Sequence, residues 1–175
     1  MEDEQIIREV LQGNTNLYAE IVKRYQGNVA NLCYKICGNR LDIEEVTQQV
    51  FVELYTALPR FQFKSKLSTF IYRITVNVVS KMLSRSKRIV TQSEDDHFTQ
   101  LQGGKNIEQQ IVQDERIKQL RQAIGQLKQE QRTALVLYTF NNFSYNDIAD
   151  VMQVSLSKVE SLIFRAKKKL NELLS

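Results

Sequence analysis

The chain has 175 residues, a formal net charge of +4, one proline and six glycines. Helix-forming residues dominate and turn-forming residues are scarce, which predicts an all-α protein. No apolar run approaches the roughly 18 residues that cross a bilayer, and the acidic N-terminus lacks the basic-then-apolar order of a signal peptide. We therefore expect a cytoplasmic protein without membrane insertion.

The first two predicted helices are marked by apolar residues at helical spacing and by glycine stops. The first ends at Gly13 and the second at Gly38. The second helix carries both cysteines of the chain, Cys33 and Cys37. The single histidine of the chain, His97, lies far away in sequence. Half of a metal site or a redox pair is one interpretation. Without a second cysteine pair we favour small buried residues in a reducing compartment, and we expect no metal or cofactor.

A third helix is predicted to begin at a capping motif. Asp42 is suited to the N-cap and Glu45 follows three residues later, as in a capping box. This helix stops before Pro59, because proline cannot continue it. After a short basic loop, a fourth helix is predicted to begin near Ser68 and to run to about Arg88.

The loop and the fourth helix belong to a stretch without carboxylates, from Leu54 to Ser93. Cations attract a phosphate backbone, and aromatic rings among them can stack on unpaired bases. The stretch therefore indicates DNA binding, although a solvated basic helix with ordinary core aromatics is the alternative. Its eight basic residues are Arg60, Lys64, Lys66, Arg73, Lys81, Arg85, Lys87 and Arg88, and among the first of them stand the aromatic residues Phe61, Phe63, Phe70 and Tyr72.

On a helical wheel, residues 67–88 show two apolar stripes separated by one polar lane. A helix of this kind is predicted to pack on two sides in a bundle and to display the lane. Amides, hydroxyls and cations without carboxylates suit base edges and phosphates. The lane consists of Arg73, Asn77, Ser80, Lys81, Ser84 and Arg88, with Phe70 near its start.

Residues 89–107 lose this periodicity, gather acidic residues and contain a glycine pair, which predicts a linker. The second half resumes with a helix through Ile107 to Leu127 and a shorter apolar helix around residues 134–140.

Residues 144–170 have the layout of a helix-turn-helix. Ser144 and Asp147 are predicted to form a capping box for a short helix, and Gln153 stands in the turn where a glycine is common. The second helix buries one apolar side and is predicted to display a basic outward lane, which suits the DNA major groove. A helical hairpin without a DNA role is the alternative. The lane consists of Lys158, Ser161, Arg165 and Lys168.

The order of these parts resembles a bacterial RNA polymerase sigma factor of the extracytoplasmic-function (ECF) group. Residues 42–51 (DIEEVTQQVF) resemble the segment that docks on core polymerase, residues 63–74 (FKSKLSTFIYRI) resemble the promoter-melting segment, and residues 144–170 resemble the reader of the −35 element. The resemblance implies two small helical domains on a flexible linker. These are a region 2 domain over 1–88, a linker over 89–107 and a region 4 domain over 108–175.

The resemblance also implies an alternative sigma factor that binds core RNA polymerase, recognises −10 and −35 elements, helps to melt the −10 DNA and is not an enzyme. Promoter DNA and an anti-sigma factor are further expected partners, and the free chain is expected to be a monomer. The docking residues would be Asp42, Glu45, Gln48 and Gln49. The −10 residues would be Arg60, Lys64, Lys66, Ser68, Phe70, Arg73, Asn77 and Lys81, and the −35 residues Ser155, Ser157, Lys158, Ser161, Arg165 and Lys168.

Four positions depart from the usual family pattern. Phe70 stands where tryptophan is frequent and Gln49 where an acid is usual, and Glu160 and Leu162 replace frequently basic residues. No −35 sequence preference is therefore transferred. A self-sufficient helix-turn-helix regulator is the alternative function, and it would have no need of the docking segment. An enzyme with a DNA-binding tail is disfavoured, since the sequence holds no catalytic cluster or phosphate-binding loop.

Overall fold

The computed structural model describes residues 1–92 and 114–175, and these residues contain helices and no strand. The predicted all-α fold is confirmed. The helices are α1 (Asp3–Leu11), α2 (Tyr18–Cys37), α3 (Ile43–Ala57), α4 (Leu67–Gln92), α5 (Asp114–Gly125), α6 (Gln129–Phe140), α7 (Tyr145–Met152) and α8 (Leu156–Leu174). Short 3-10 turns cover Thr15–Leu17, Gly38–Arg40 and Leu58–Arg60. None of the described helices is both long and apolar enough to cross a membrane.

The predicted helix ends agree with the structure except at three places. Helix α5 ends at Gly125, before the predicted Leu127, and α6 begins at Gln129, before the predicted residue 134. The third is the end of α4. Gly13 and Gly38 both have positive φ, of 109° and 57°, and follow α1 and α2 as predicted stops. Helix α4 continues to Gln92, so residues 89–92 extend it instead of opening the linker. No glycine or proline ends the helix there, which explains the longer run. The rest of the predicted linker and the predicted helical residues 107–113 lie outside the described residues.

Helices α1 to α4 pack around an apolar core to which α2, α3 and α4 contribute most of the side chains. Cys33 and Cys37 belong to this core as buried free thiols. Burial, and secondarily the neighbouring Cys37, raise the pKa of the Cys33 thiol to about 12. Burial also raises the pKa of Cys37. Neutral buried thiols are poor metal ligands and nucleophiles, so both behave as the small apolar residues that the sequence predicted.

Helices α5 to α8 form the second helical region, in which α6 and α8 are the main packing pair. The side chains that fill its centre include Leu137, Ile148, Val151, Val159 and Ile163. These residues share one continuous apolar core with α2 and α4, so the second region packs directly against the first.

A buried guanidinium joins the two regions. Arg132 on α6 is only 3% exposed. Its Nη1 donates to the Ile36 carbonyl at 2.9 Å, near the end of α2. Its Nε donates to Ile124 at 2.9 Å, and its Nη2 donates to Gly125 at 2.7 Å and to Leu127 at 2.9 Å, at and just beyond the end of α5. The last carbonyls of a helix lack intrahelical donors and carry partial negative charge, so one cation caps two helices.

Further contacts join α4 to α7, to Phe143 just before α7, and to α6. The Tyr72 and Phe143 rings meet edge to face at 5.4 Å between centroids. Arg73 donates from Nε to the Asp150 carbonyl at 3.1 Å, and Gln129 on α6 donates from Nε2 to the Ser80 hydroxyl at 2.9 Å. Side chains of the predicted polar lane therefore contribute to the contact between the regions.

Replacing Arg132 with methionine should lower the free energy of unfolding by about 3 kcal/mol, because the buried hydrogen bonds to the Ile36 and Leu127 carbonyls and the part-buried ones to Ile124 and Gly125 would be lost. Chemical denaturation with a two-state fit measures this change. Arg121→Met, at an exposed position of α5, is the matched control and should change stability by less than about 0.5 kcal/mol. Equal losses in the two variants would contradict the role assigned to Arg132.

The Cys33 thiol should make the fold weaker in alkali. The unfolded thiol loses its proton near pH 9.0, whereas the folded one keeps it to about pH 12. The contribution of this thiol to the free energy of unfolding is therefore complete below pH 9. It is lost as the pH rises towards 12, by at most about 1.4 kcal/mol per pH unit. Denaturation at pH 8 to 10, before most tyrosines ionise, should show a smaller loss for Cys33→Ala than for the wild type. Parallel pH dependences would refute this.

Candidate polymerase and nucleic-acid interfaces

The loop between α3 and α4 is organised by a cluster of three phenylalanines. The ring centroid of Phe61 lies 4.7 Å from that of Phe63 and 4.9 Å from that of Phe70. Phe61 is buried, while Phe63 and Phe70 are half-buried. The Arg8 guanidinium on α1 lies 4.4 Å from the centroid of Phe63. The rings are thus held in place by packing, and two of them keep part of their surface at the solvent.

Phe63 has a φ of 56°, in the left-handed region that non-glycine residues rarely adopt. This conformation turns the chain sharply between Arg60 and α4. Around it, the cations Arg60, Lys64 and Lys66 are exposed. The loop therefore combines exposed positive charge with partly exposed aromatic rings, as the sequence predicted.

The polar lane of α4 is divided by the second helical region. Asn77 and Lys81 are exposed, and the Lys81 ammonium lies 3.5 Å from the Glu53 carboxylate on α3. Arg73 and Ser80 are half-buried and bonded to α7 and α6, as described above. One part of the lane is thus open and another is covered by the chain itself.

Tyr72, also in this stretch, is a core residue. Its ring is buried and packs on Phe143, and burial raises the pKa of its hydroxyl. The alternative interpretation of the aromatics, as ordinary core residues, therefore holds for Phe61 and Tyr72.

On α3, the four predicted docking residues lie near the N-terminal end of the helix. Asp42 is the N-cap, and its Oδ1 accepts from the backbone N–H of Glu44 at 2.9 Å and of Glu45 at 3.1 Å. The side chains of Glu45, Gln48 and Gln49 are exposed. Val46 and Val50, on the inner side of the same turns, are buried as predicted. The Asp42 carboxylate is thus committed to the fold, and the other three side chains present polar atoms to solvent.

An apolar groove between α2 and α3 adjoins these residues, which the sequence analysis did not single out. Val52 and Tyr55 stand at its edge with 58% and 43% of their surface exposed. The Tyr18 hydroxyl donates to the Phe51 carbonyl at 2.6 Å, and its ring meets Tyr55 edge to face at 5.0 Å. Burial raises the pKa of Tyr18, so its phenol stays neutral. The sequence feature that could have predicted this groove is the position of Val52 and Tyr55, which fall outside the apolar stripe of α3 and are therefore expected at the surface.

The predicted helix-turn-helix is present as α7 and α8. The Ser144 Oγ accepts from the Asp147 N–H at 3.1 Å, and the Asp147 carboxylate accepts from the Ser144 N–H at 3.0 Å, which completes the predicted capping box. Gln153 ends α7 with a φ of 55°, the left-handed conformation that a glycine adopts more easily. The Ser155 hydroxyl then accepts from the Lys158 N–H at 3.1 Å and caps α8.

The outward side of α8 carries the remaining predicted −35 residues. Ser157, Lys158, Arg165 and Lys168 are exposed and Ser161 is half-buried. The Lys158 ammonium lies 3.0 Å from the Glu130 carboxylate on α6, an exposed ion pair that contributes little to stability. The Ser155 hydroxyl is used as a cap. The side thus presents hydroxyls and cations to the solvent, together with the exposed side chains of Glu160 and Phe164.

Comparison with known proteins gives this arrangement a family. The models of "Sigma-70 region 2" and "Sigma-70, region 4" match residues 21–89 and 117–170. The RNA polymerase sigma-H factor of Pseudomonas aeruginosa is 31% identical over 99% of this chain and 94% of its own length. The ECF RNA polymerase sigma-E factor of Haemophilus influenzae is 29% identical over 95% and 92%. The chain belongs to the ECF sigma factors of the sigma-70 family.

Solved structures share the fold of this sigma factor. CnrH in complex with the cytosolic domain of CnrY has a TM-score of 0.69 at 21% identity, over 98% of this chain and 96% of that one. RpoE of Bartonella quintana, in complex with the anti-sigma factor NepR, has a TM-score of 0.72 at 18% identity, over 90% and 96%. The fold therefore persists where few residues are shared.

As a sigma factor, the protein binds core RNA polymerase and directs promoter-specific initiation of transcription. The region 2 match contains all the predicted docking and −10 residues, and the region 4 match contains all six predicted −35 residues. Helix α1, whose Arg8 supports the phenylalanine cluster, precedes the region 2 match.

Proposed function

We propose that this sigma factor divides its work among three surfaces. Helix α3 docks on core polymerase, the loop 60–66 with the lane of α4 recognises and helps to melt the −10 element, and α8 reads the −35 element. The region 2 domain would span 1–88, the linker 89–107 and the region 4 domain 108–175. The observation that carries this assignment is the exposure of polar and basic side chains on each surface, opposite an inner side that is apolar except for the buried Thr75 of α4. The protein itself carries out no chemistry.

The docking surface is proposed to combine polar and apolar contacts. Glu45, Gln48 and Gln49 offer hydrogen-bonding groups within about one helical turn. Val52 lies on the same side of α3 a turn further on, beside the groove that Tyr55 edges. A partner helix laid along this side would bury exposed apolar surface and also engage the polar groups, which is a common mode of helix recognition.

Glu45→Lys combined with Gln48→Ala should raise the Kd for core polymerase about tenfold, because one charge is reversed and one hydrogen-bonding group is lost. Val52→Asp should weaken binding comparably by placing a carboxylate in the apolar groove. Affinity can be measured by titrating labelled sigma factor with core enzyme. Glu20→Lys, an exposed position on α2 away from the groove, serves as the control. Glu20→Lys should bind like the wild type. If both docking variants did so too, the docking assignment would be abandoned.

The −10 surface is proposed to hold a single strand of DNA. Exposed Arg60, Lys64 and Lys66 would bind phosphates, and the partly exposed faces of Phe63 and Phe70 would receive an unstacked base. Unstacking costs a few kcal/mol, which contacts to the separated strand must offset. Ser68, Asn77 and Lys81 would contact the DNA that follows. Arg73 can join them only by exchanging the Asp150 carbonyl for a phosphate.

The −35 surface is proposed to enter the major groove through α8. Ser155, Ser157 and Lys158 lie in its first turn, where recognition helices approach base edges, and Ser161, Arg165 and Lys168 follow along the outward side. The cations would bind phosphates at the groove edges and the hydroxyls would contact bases or phosphates.

Arg165→Ala should weaken promoter binding by the holoenzyme and reduce the slope of log K against log salt by about one, the effect of one lost phosphate contact. Binding to a labelled promoter duplex at several salt concentrations measures the slope. Lys167→Ala is the matched control, because Lys167 sits on the flank of α8 with its ammonium 4.8 Å from the centroid of Tyr138. An unaltered slope for Arg165→Ala would exclude it as a phosphate ligand.

We further propose that the protein acts in the cytoplasm, beside polymerase and DNA, and that an anti-sigma factor controls it by covering these surfaces. Bartonella RpoE, which shares the fold, was solved with such a partner. The alternative is a regulator that binds DNA without polymerase. Tight, specific binding of the promoter duplex by the free chain would favour that alternative, because a sigma factor needs core polymerase for it.

A further inference from the structure

Phe164, on the outward side of α8, is not explained by the fold. Its ring is 68% exposed, among the largest values for an apolar side chain in the described residues. Single exposed apolar residues are common and need no function. The position of Phe164, however, is unusual, because it lies on the outward side of α8 near Ser161 and Lys168, with the exposed Glu160 one turn before it.

The rotation of α8 is set by contacts on three sides. Val159, Ile163 and Ala166 point into the core. Lys158 pairs with Glu130 on one flank, and Lys167 lies over Tyr138 on the other. The side that remains is a stripe at helical spacing i, i+4, i+7 and i+11, formed by Ser157, Ser161, Phe164 and Lys168. Phe164 therefore shares its stripe with three of the residues proposed to read the −35 element.

An aromatic ring cannot bind phosphate as these neighbours can, so its use on a DNA-facing stripe is contact with a base. In the major groove the apolar group that a base edge presents is the 5-methyl of thymine, and phenylalanine is one of the side chains that pack on it. We infer that Phe164 packs on a thymine methyl group of the −35 element and so contributes to promoter specificity. This inference rests on the proposed reading of the −35 element by α8.

The test isolates a single methyl group. Holoenzyme is assembled from core polymerase with wild-type sigma factor, Phe164→Ala or Phe164→Leu, and a promoter that it transcribes is used as a duplex. Each thymine of the −35 element, on both strands, is replaced in turn by deoxyuridine, which lacks only the methyl. Phe140→Ala is the matched control, because it removes another exposed phenylalanine of the same region, one that lies under the Lys35 ammonium and away from the stripe.

At one thymine, deoxyuridine should weaken wild-type binding about fourfold, the effect of one buried methyl group. Phe164→Ala should bind the unmodified promoter at least as weakly as the wild type binds the deoxyuridine promoter. Replacing that thymine with deoxyuridine should not weaken its binding further. Phe164→Leu should respond in part, and Phe140→Ala should respond like the wild type. These exposed substitutions should leave the fold unchanged, which circular dichroism checks.

Three outcomes would overturn the inference: no methyl-sensitive thymine for the wild type, the same sensitivity in Phe164→Ala, or a loss of core-polymerase affinity in Phe164→Ala in place of promoter affinity. The last would make Phe164 a protein contact. A scrambled −35 element provides the separate control for the proposed function. If scrambling does not weaken wild-type holoenzyme, the −35 role of α8 fails, whereas a scrambling effect without a methyl effect rejects Phe164 alone.

Discussion

One buried charge, the guanidinium of Arg132, links the two helical regions across the apolar core that they share. An unpaired charge in an apolar interior would be strongly destabilising. Here the guanidinium N–H groups donate hydrogen bonds to four carbonyls, those of Ile36, Ile124, Gly125 and Leu127. Three of them belong to the ends of α2 and α5, where the helix dipole favours a cation. The guanidinium of arginine carries its donors on three nitrogens and can therefore bind carbonyls that lie apart. The ammonium of lysine carries all its donors on one nitrogen and is less suited to this.

The same packing decides which of the residues proposed to contact DNA are accessible. With α6 held against α2, α7 lies on α4. On α4, Arg73 is hydrogen-bonded to Asp150 of α7, and Ser80 to Gln129 of α6. The outer stripe of α8 faces away from its own core and stays open. The proposed −10 and −35 surfaces therefore differ in the free chain: one is partly occupied by the chain itself, and the other is presented to solvent.

Much of this could be predicted from local sequence. The N-caps Asp42 and Ser144, the glycine stops and the inward residues of the helix-turn-helix depend on neighbours within about four positions, and all are found. The role of Arg132 could not be predicted, because its Ile36 partner lies 96 residues away and an arginine on a helix is normally taken for a surface residue. The contact of Arg73 with Asp150 spans 77 residues and was missed for the same reason.

The energies at the contact between α4 and α7 indicate that it would modulate, and not prevent, access of DNA to the proposed −10 surface on α4. The hydrogen bond of Arg73 has a net worth of about 1 kcal/mol, and the ring pair of Tyr72 and Phe143 adds about 0.5–1.5 kcal/mol beyond its buried area. The guanidinium of Arg73 is charged in either bond, and a phosphate acceptor adds the attraction of a full negative charge, which the Asp150 carbonyl lacks. The exchange at this residue alone is therefore favourable. What opposes it is the apolar surface that α7 buries on α4, so the cost of opening depends on packing more than on polar contacts.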